Sequence, residues 1–432
     1  MNWRLNARMR ASVVLTLSIL GTSACSDFLT VQDPGRFTDE SLNTPLALVA
    51  VANGVQADLV QQADNFGSTF GLISDEFMHT GTWQGDFDLD AGRTPSTLGG
   101  TGGFQGNLLA VRTASQNAQE RLIKVMGDTA NRSVLMARVV AVEAWANLYM
   151  GMYNCESPKG PNGDIVSDIE TLKLSIPLFT KAADIARSAN NQDFQRWATA
   201  GRARAKLFSG DFDGALADAA LVPDNFVFTA KFDATNSSHT IASLAYRTRL
   251  KAAGLDRRHW AKVDTVAGFI RDPYTNQHDR RLVITHLPQE RGADGVTQYY
   301  NQEKFDAVDD DAVLTSGWEM RLIEAEANMK KGNLGPAMTL INRVRANAQL
   351  NAVTATDPAK VQEHLLWERF SQMYLEGHRL YDIHRYNLAR TVLGTSQATD
   401  GLWPTQYPLD GGEINLNPNT KGSLTGRCFP RK

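Results

Sequence analysis

Two stretches of this sequence set aromatic rings among groups that read hydroxyls. In the first, Trp83 and Phe87 lie near Asp75, His79, Asp86, Asp88 and Arg93; in the second, Tyr299 and Tyr300 precede Asn301. Flat aromatic faces suit the C–H-rich faces of sugar rings, and carboxylates, amides and guanidinium groups suit their hydroxyls. The candidate ligand-binding set is therefore Asp75, His79, Trp83, Phe87, Arg93, Tyr299 and Tyr300. The competing reading is that Trp83 anchors its glycine-rich loop by burial, and that His79, an isolated histidine, is no ligand contact at all. A third group, Asp306, Asp309, Asp310 and Asp311, offers oxygen ligands of the kind calcium takes. It lacks the spacing and the glycine of an EF-hand loop, so a solvated acidic turn is the alternative. No Cys/His cluster has metal-ligand spacing, and no metal or cofactor is expected.

Catalytic signatures are missing from the same sequence. It has no Gly-x-Ser-x-Gly elbow, no His-Glu-x-x-His, no phosphate loop and no dinucleotide fingerprint. A non-enzymatic binding role follows. A secreted glycoside hydrolase stays open as the alternative, because that chemistry needs only two suitably separated carboxylates. Charges of both signs are interspersed and sum to -3 over 432 residues, which sets nucleic-acid binding aside. Hydrophobic content of 42% with 21% charged residues is ordinary globular composition.

The elements that must position these residues begin after a targeting segment. Arg4, Arg8 and Arg10 precede a short apolar run from Val13 to Leu20, and Thr22, Ser23 and Ala24 lead to Cys25. That run has the length of a signal-peptide core and is too short to span a bilayer. Small residues ending in Cys are what a bacterial lipoprotein signal presents, giving a signal over residues 1–24 and lipid on Cys25. Thr22 stands where such signals usually carry Leu, and ordinary secretion with cleavage near Ala24 is the alternative. Cys155 and Cys428 then remain, and in an oxidising envelope they are either a disulfide or two free thiols.

Helical spacing of apolar residues predicts helices over 46–63, 108–126, 132–150, 172–188 and 194–209, and again after Pro336 and Pro358. Two segments repeat. Ala205-Lys-Leu-Phe-Ser-Gly210-Asp-Phe212-Asp-Gly-Ala215 matches Ala327-Asn-Met-Lys-Lys-Gly332-Asn-Leu334-Gly-Pro-Ala337, and a weaker copy begins at Ala146 and reaches Gly151. A helix that ends at a glycine able to turn left-handed, followed by a second helix, is tetratricopeptide logic. Such hairpins also present concave surfaces to partner proteins, so a tetratricopeptide scaffold for a protein partner is a third functional reading. The glycine-rich stretch at 79–107 and the region 222–310 read as irregular, and the Pro-rich tail from Trp403 cannot be a long helix.

The mature start, Cys25-Ser-Asp-Phe28-Leu29, looks like the beginning of many SusD/RagB lipoproteins. The C-terminal half carries more of the likeness. Arg321-Leu-Ile-Glu324-Ala-Glu326-Ala327 and Ile341-Asn342-Arg343-Val344-Arg345 resemble that family's penultimate helix pair. Glu368-Arg369 with Glu376-Gly377-His-Arg379-Leu-Tyr-Asp382-Ile-His-Arg385-Tyr386 is similar to its Glu-Arg … Glu-Gly-x-Arg-x-Phe-Asp-Leu-x-Arg-Trp block, and Tyr407-Pro408-Leu409 to its closing segment. Ser371 and Gln372 depart from the charged and acidic residues usual after the Glu-Arg pair.

The resemblance implies an all-α fold of tetratricopeptide-like hairpins with loop-rich ligand-binding insertions. In outline this is a lipidated tether over 25–45 and a single domain over 46–432. Its helices are expected near 108–220 and 317–393, and its ligand lobe near 66–107 and 222–310. It also implies an outer-membrane lipoprotein facing the cell exterior, which captures an oligosaccharide or other nutrient for a SusC-like TonB-dependent transporter. Glu376, Gly377, Arg379, Asp382 and Arg385 read as scaffold, their charges locking adjacent helices.

Overall fold

The computed structural model describes residues 38–93, 103–235, 240–397, 401–409 and 411–420. Cys25 lies outside them, and so does Cys428.

The first long helix, α1 (Pro45–Ile73), begins where sequence predicts, with Thr44 accepting from the amide of Ala47 and Pro45 in the first turn. It runs ten residues beyond the predicted end at Ala63. Its last turns carry Asp64, Gly67, Ser68, Thr69 and Gly71, which break the apolar periodicity yet are buried. Gly67 meets the Leu375 carbonyl so closely that an added Cβ would stand 2.4 Å from the oxygen. The Asp64 carboxylate accepts from the amides of Ser243 and Leu244 at 2.7 and 2.8 Å, capping a helix that starts 178 residues later at Ala242. Residues 66–73 are thus packed helix, and only beyond them does the chain become irregular.

After the short helix α2 (Gln84–Asp90) come α3 (Gly103–Met126), α4 (Val134–Tyr153), α5 (Asp168–Ser188), α6 (Gln192–Ser209) and α7 (Phe212–Ala219). Ser133, Ser167, Asn191 and Asp211 cap four of these through their side-chain oxygens. The eight-residue α8 (Ala242–Arg249) leads into the strand region, and α9 (Gly317–Lys330), α10 (Leu334–Asn347), α11 (Pro358–Gln372) and α12 (Arg379–Arg385) follow it. Gly210 and Gly332 take positive φ, 91° and 81°, at the ends of α6 and α9, as the repeat requires. The third copy differs: Gly151 lies inside α4. A Cβ there would stand 2.7 Å from Leu172 and 2.9 Å from the Asp168 carbonyl, so this glycine serves the close approach of α5 rather than a helix end.

Residues 222–310 are more ordered than composition suggests. Strands β6 (Val263–Asp264), β7 (Phe269–Arg271), β8 (His278–Arg291) and β9 (Gln298–Gln302) form an antiparallel meander in chain order. Leu282, Ile284 and His286 alternate inward along β8 against outward Val283 and Thr285. Two smaller pairs join distant segments, β1 (Phe77–His79) with β5 (Ala253–Leu255) and β4 (Val227–Ala230) with β10 (Ala312–Ser316), while β2 (Glu156–Pro158) and β3 (Ile165–Ser167) form a local hairpin. Helices nevertheless dominate, and the fold is all-α in class. Cys155, just after α4, is disulfide-bonded.

The core holds charge as well as hydrocarbon. Arg345, fully buried, donates to Asp272 at 2.9 Å and to Glu368 at 2.7 Å, joining α10, α11 and the meander. Arg369 grips Asp382 with two bonds of 2.7 and 2.9 Å, and Arg385 bridges Glu326 and Asp382. Burial pushes the Asp382 carboxyl up, but the Arg369 and Arg385 guanidinium groups outweigh it and hold the group well below the usual carboxylate range.

Candidate ligand-binding face

Helix α2 places Trp83, its N-cap residue, and Phe87 one turn apart, so both rings share a face. Both are exposed, at 47% and 41%. His79, at the end of β1, stands edge-on to Phe87 with ring centroids 6.3 Å apart. It is half-buried, and its Nδ1 is a buried atom with no hydrogen-bond partner among the described residues. Burial lowers the His79 pKa, keeping the imidazole neutral.

Guanidinium groups frame the two rings. Arg93 lies 5.5 Å from the Phe87 centroid, donates to Asp88 at 2.8 Å and to Gln397 at 3.2 Å. Arg247, from α8, lies 5.9 Å from the Trp83 centroid and holds Asp86 with two bonds of 2.8 Å. Asp86 and Asp88 are therefore committed to arginines, and they fix the cations beside the rings. The loop after α2 is pinned from the C-terminal segment: the backbone N–H of Gln397 donates to the Ala91 carbonyl at 3.0 Å, and the Ser396 hydroxyl donates to the Gly92 carbonyl at 2.9 Å. The result is a rigid, exposed aromatic pair edged by an imidazole, two guanidiniums and the Gln397 amide. Such a surface stacks on a flat C–H-rich ligand and hydrogen-bonds its periphery.

Of the sequence candidates, His79, Trp83, Phe87 and Arg93 are brought together here. Asp75 is not: it is 2% exposed and clamped by Arg379 at 2.6 and 2.8 Å, with His259 3.3 Å away. Tyr299 is also interior, at 3% exposure, its hydroxyl donating to the Thr248 carbonyl at 2.7 Å. Tyr300 is nearer the surface, but both ring faces are covered, by Trp260 at 4.6 Å and His286 at 4.0 Å. It has no free face for a sugar ring. The acidic group at 306–311 is used internally: Asp310 accepts from the amides of Asp306 and Ala307, and Asp311 pairs with Lys231. No cluster of three or more potential metal ligands occurs among the described residues. Sequence reasoning missed Arg247 and Gln397, which lie some 160 and 300 residues from the rings they frame and carry no local signal.

The segment that bears the buried charge lock is also the one that matches a known family. The family model for the SusD family matches residues 318–422, which contain Glu326, Arg345, Glu368, Arg369, Asp382 and Arg385. This C-terminal stretch is similar to the SusD family. A SusD superfamily protein from Bacteroides vulgatus ATCC 8482 superposes with a TM-score of 0.67 at 15% identity, covering 86% of this chain and 97% of its own. A SusD superfamily protein from Bacteroides thetaiotaomicron VPI-5482 gives 0.62 at 12% identity, covering 87% and 97%. A SusD-like carbohydrate binding protein from Bacteroides vulgatus ATCC 8482 gives 0.59 at 16% identity, covering 78% and 83%. No curated protein matches the sequence. At these identities the structural likeness speaks to the fold of this chain and to nothing finer.

Proposed function

We propose that this chain is a cell-surface binding protein that captures an extracellular oligosaccharide or related glycan and hands it, unmodified, to a TonB-dependent outer-membrane transporter. The observation that carries the binding part is the exposed Trp83–Phe87 pair, held rigid and edged by neutral His79, Arg93 and Arg247. Exposed rings in such an arrangement fit a ligand with flat apolar faces and a hydroxyl periphery. The carbohydrate-binding relative from Bacteroides vulgatus lends support as a fold neighbour. Delivery to a transporter rests on the C-terminal similarity to the SusD family. The lipid on Cys25 rests on the signal-like N-terminus, and among the described residues no helix is long and apolar enough to cross a membrane.

Binding of the purified chain to a glycan array, repeated with Trp83→Ala, tests the capture reading. Retention of intact glycan by the parent and loss by the variant are expected; full binding by the variant would remove this face from the site, and turnover of the glycan would move the chain to the hydrolases. Detergent extraction of the native protein with mass spectrometry tests delivery and anchoring. Co-purification of a TonB-dependent transporter and a diacylated Cys25 peptide are expected.

A further inference from the structure

Ser371 and Gln372, the two residues that depart from the SusD pattern, line a cavity of about 300 Å³ on another part of the molecule. It lies between β8, the chain leaving β9, and the end of α11. Arg281 contributes from β8, Glu303 and Lys304 from the exit of β9, and Glu376 from the turn after α11. Its volume is at the small end of ligand pockets, roughly 300–1,000 Å³.

The walls are fixed by contacts made within the protein. Arg281 is held by Asp279 at 2.7 Å and by Glu368 at 2.9 Å. Lys304 donates to the Tyr374 carbonyl and to Glu376, each at 2.7 Å, and Glu303 accepts from Asn301 at 2.8 Å. Ser371 and Gln372 are different. Ser371 is 1% exposed, and its Oγ and the Oε1 of Gln372 are buried atoms with no hydrogen-bond partner among the described residues. Buried helical serines elsewhere among the described residues return their hydroxyl to a carbonyl three or four residues back, as Ser175 does to Leu172 at 2.6 Å, and Ser68 to Asp64 and Ser115 to Val111, both at 2.8 Å. Ser371 makes no such bond. Leaving a buried donor or acceptor unpaired costs about 1–3 kcal/mol, so two neighbouring ones on a pocket wall mark a place where a partner is expected from outside.

We infer that this cavity is a second binding site, taking a neutral, hydroxyl-rich ligand the size of one sugar ring. Gln372 Oε1 needs a donor, Ser371 Oγ takes either role, and Glu303 and Glu376 add acceptor oxygens. The two cations are already matched by carboxylates, which leaves no net attraction for an anion. Their presence beside the acids equally disfavours a bare amine. Alternating donors and acceptors at close range suit vicinal hydroxyls.

The inference stands apart from the aromatic face and is tested with that face disabled. In a Trp83→Ala/Phe87→Ala double variant, saturation-transfer NMR with D-glucose, D-galactose, D-mannose, D-glucosamine and D-glucuronate is expected to show saturable binding of a neutral sugar at about 10 mM or tighter. Filling the cavity with Val283→Trp, a half-exposed position on its rim, should weaken that binding by about tenfold or more. Ser371→Ala should also weaken it while holding or raising the Tm, which a purely structural serine would not do. No saturable binding of any neutral sugar, indifference to both substitutions, or tighter binding of glucosamine or glucuronate would each overturn the assignment.

Discussion

The buried charge lock and the aromatic face use the same residue chemistry to opposite ends. At the lock, Arg345, Arg369 and Arg385 are withdrawn from water and every guanidinium meets carboxylates across helices α9 to α12. At the face, Arg93 and Arg247 are also paired with carboxylates, yet they stop at the edge of rings left open to solvent. Pairing in the interior specifies which helices meet. Pairing at the face specifies where a cation stands relative to a ligand, and the partly exposed Arg93–Asp88 pair contributes little to stability. Substitutions in the first region should therefore unfold the protein, and substitutions in the second should silence it while it stays folded.

The largest effect is expected at Arg345. Arg345→Met leaves Asp272 without its arginine and Glu368 with Arg281 alone, and unpairing a buried charge costs on the order of 3–5 kcal/mol. Denaturant unfolding should show that loss, and any fall in glycan binding should track the folded fraction. A variant that stays fully stable but fails to bind would break the division between the regions.

Next in size is a pH effect at Glu76, buried beside Asp75. Burial pushes its carboxyl up to about 8, and its Oε2 has no hydrogen-bond partner among the described residues. Since the folded-state value lies above the ordinary 4.5, the folded protein holds a proton that the unfolded chain gives up. Stability from this group is complete below about pH 4.5 and declines as pH rises toward 8. Glu76→Gln keeps the acceptor that the Leu375 amide uses. It should stabilise the protein by on the order of 2 kcal/mol at pH 8, with little change at pH 4.5, in paired thermal melts. The depressed carboxyls of Asp75, Asp382, Glu319 and Glu326 act the other way: their contribution is present above the unfolded values and fades as pH falls through the folded ones.

At the face, Trp83→Ala should weaken glycan binding by about tenfold or more, on the order of 1.4 kcal/mol, with the Tm changed by about 1 °C at most. The ring is exposed and fills no part of the core. A large drop in Tm would mean that Trp83 anchors its loop, the competing reading of the sequence.

The lock was legible because its residues sit at fixed helical spacing within a short stretch, so Glu368-Arg369, Asp382 and Arg385 announce themselves together. The helical hairpins were legible because Gly210 and Gly332 end helices in the same way. The end of α1 was not, because Asp64, Gly67 and Gly71 are polar or small for reasons that lie in partners 170 to 310 residues distant. The meander was hidden by the charged start of β8, whose Asp279 and Arg281 satisfy each other rather than advertise a strand. For the binding face, composition near Trp83 was informative, but Arg247 and Gln397 arrive from elsewhere in the chain. Asp75 and Tyr299 show the converse, since residues of suitable type can be adjacent in sequence and still be claimed by the core.

The smallest expected effect concerns the acidic turn at 306–311, which has the composition of a cation site but the bonding of a capped loop. Asp310 Oδ2 accepts from two backbone amides at 2.8 Å, so that oxygen is already occupied by the protein's own donors. Asp311 is paired with Lys231 across to the β4 side. A calcium ion takes six to eight oxygens, and gathering them here would mean breaking the hydrogen bonds that shape the turn. Thermal melts in millimolar calcium and in chelator should therefore agree within about 1 °C, a shift below what a bound stabilising ion produces at saturating concentration. A shift of several degrees, abolished by Asp310→Asn, would instead make the turn a third binding locus. It would also show that carboxylates engaged by backbone can be recruited away, weakening the contrast between internally satisfied charge and charge held ready for a ligand.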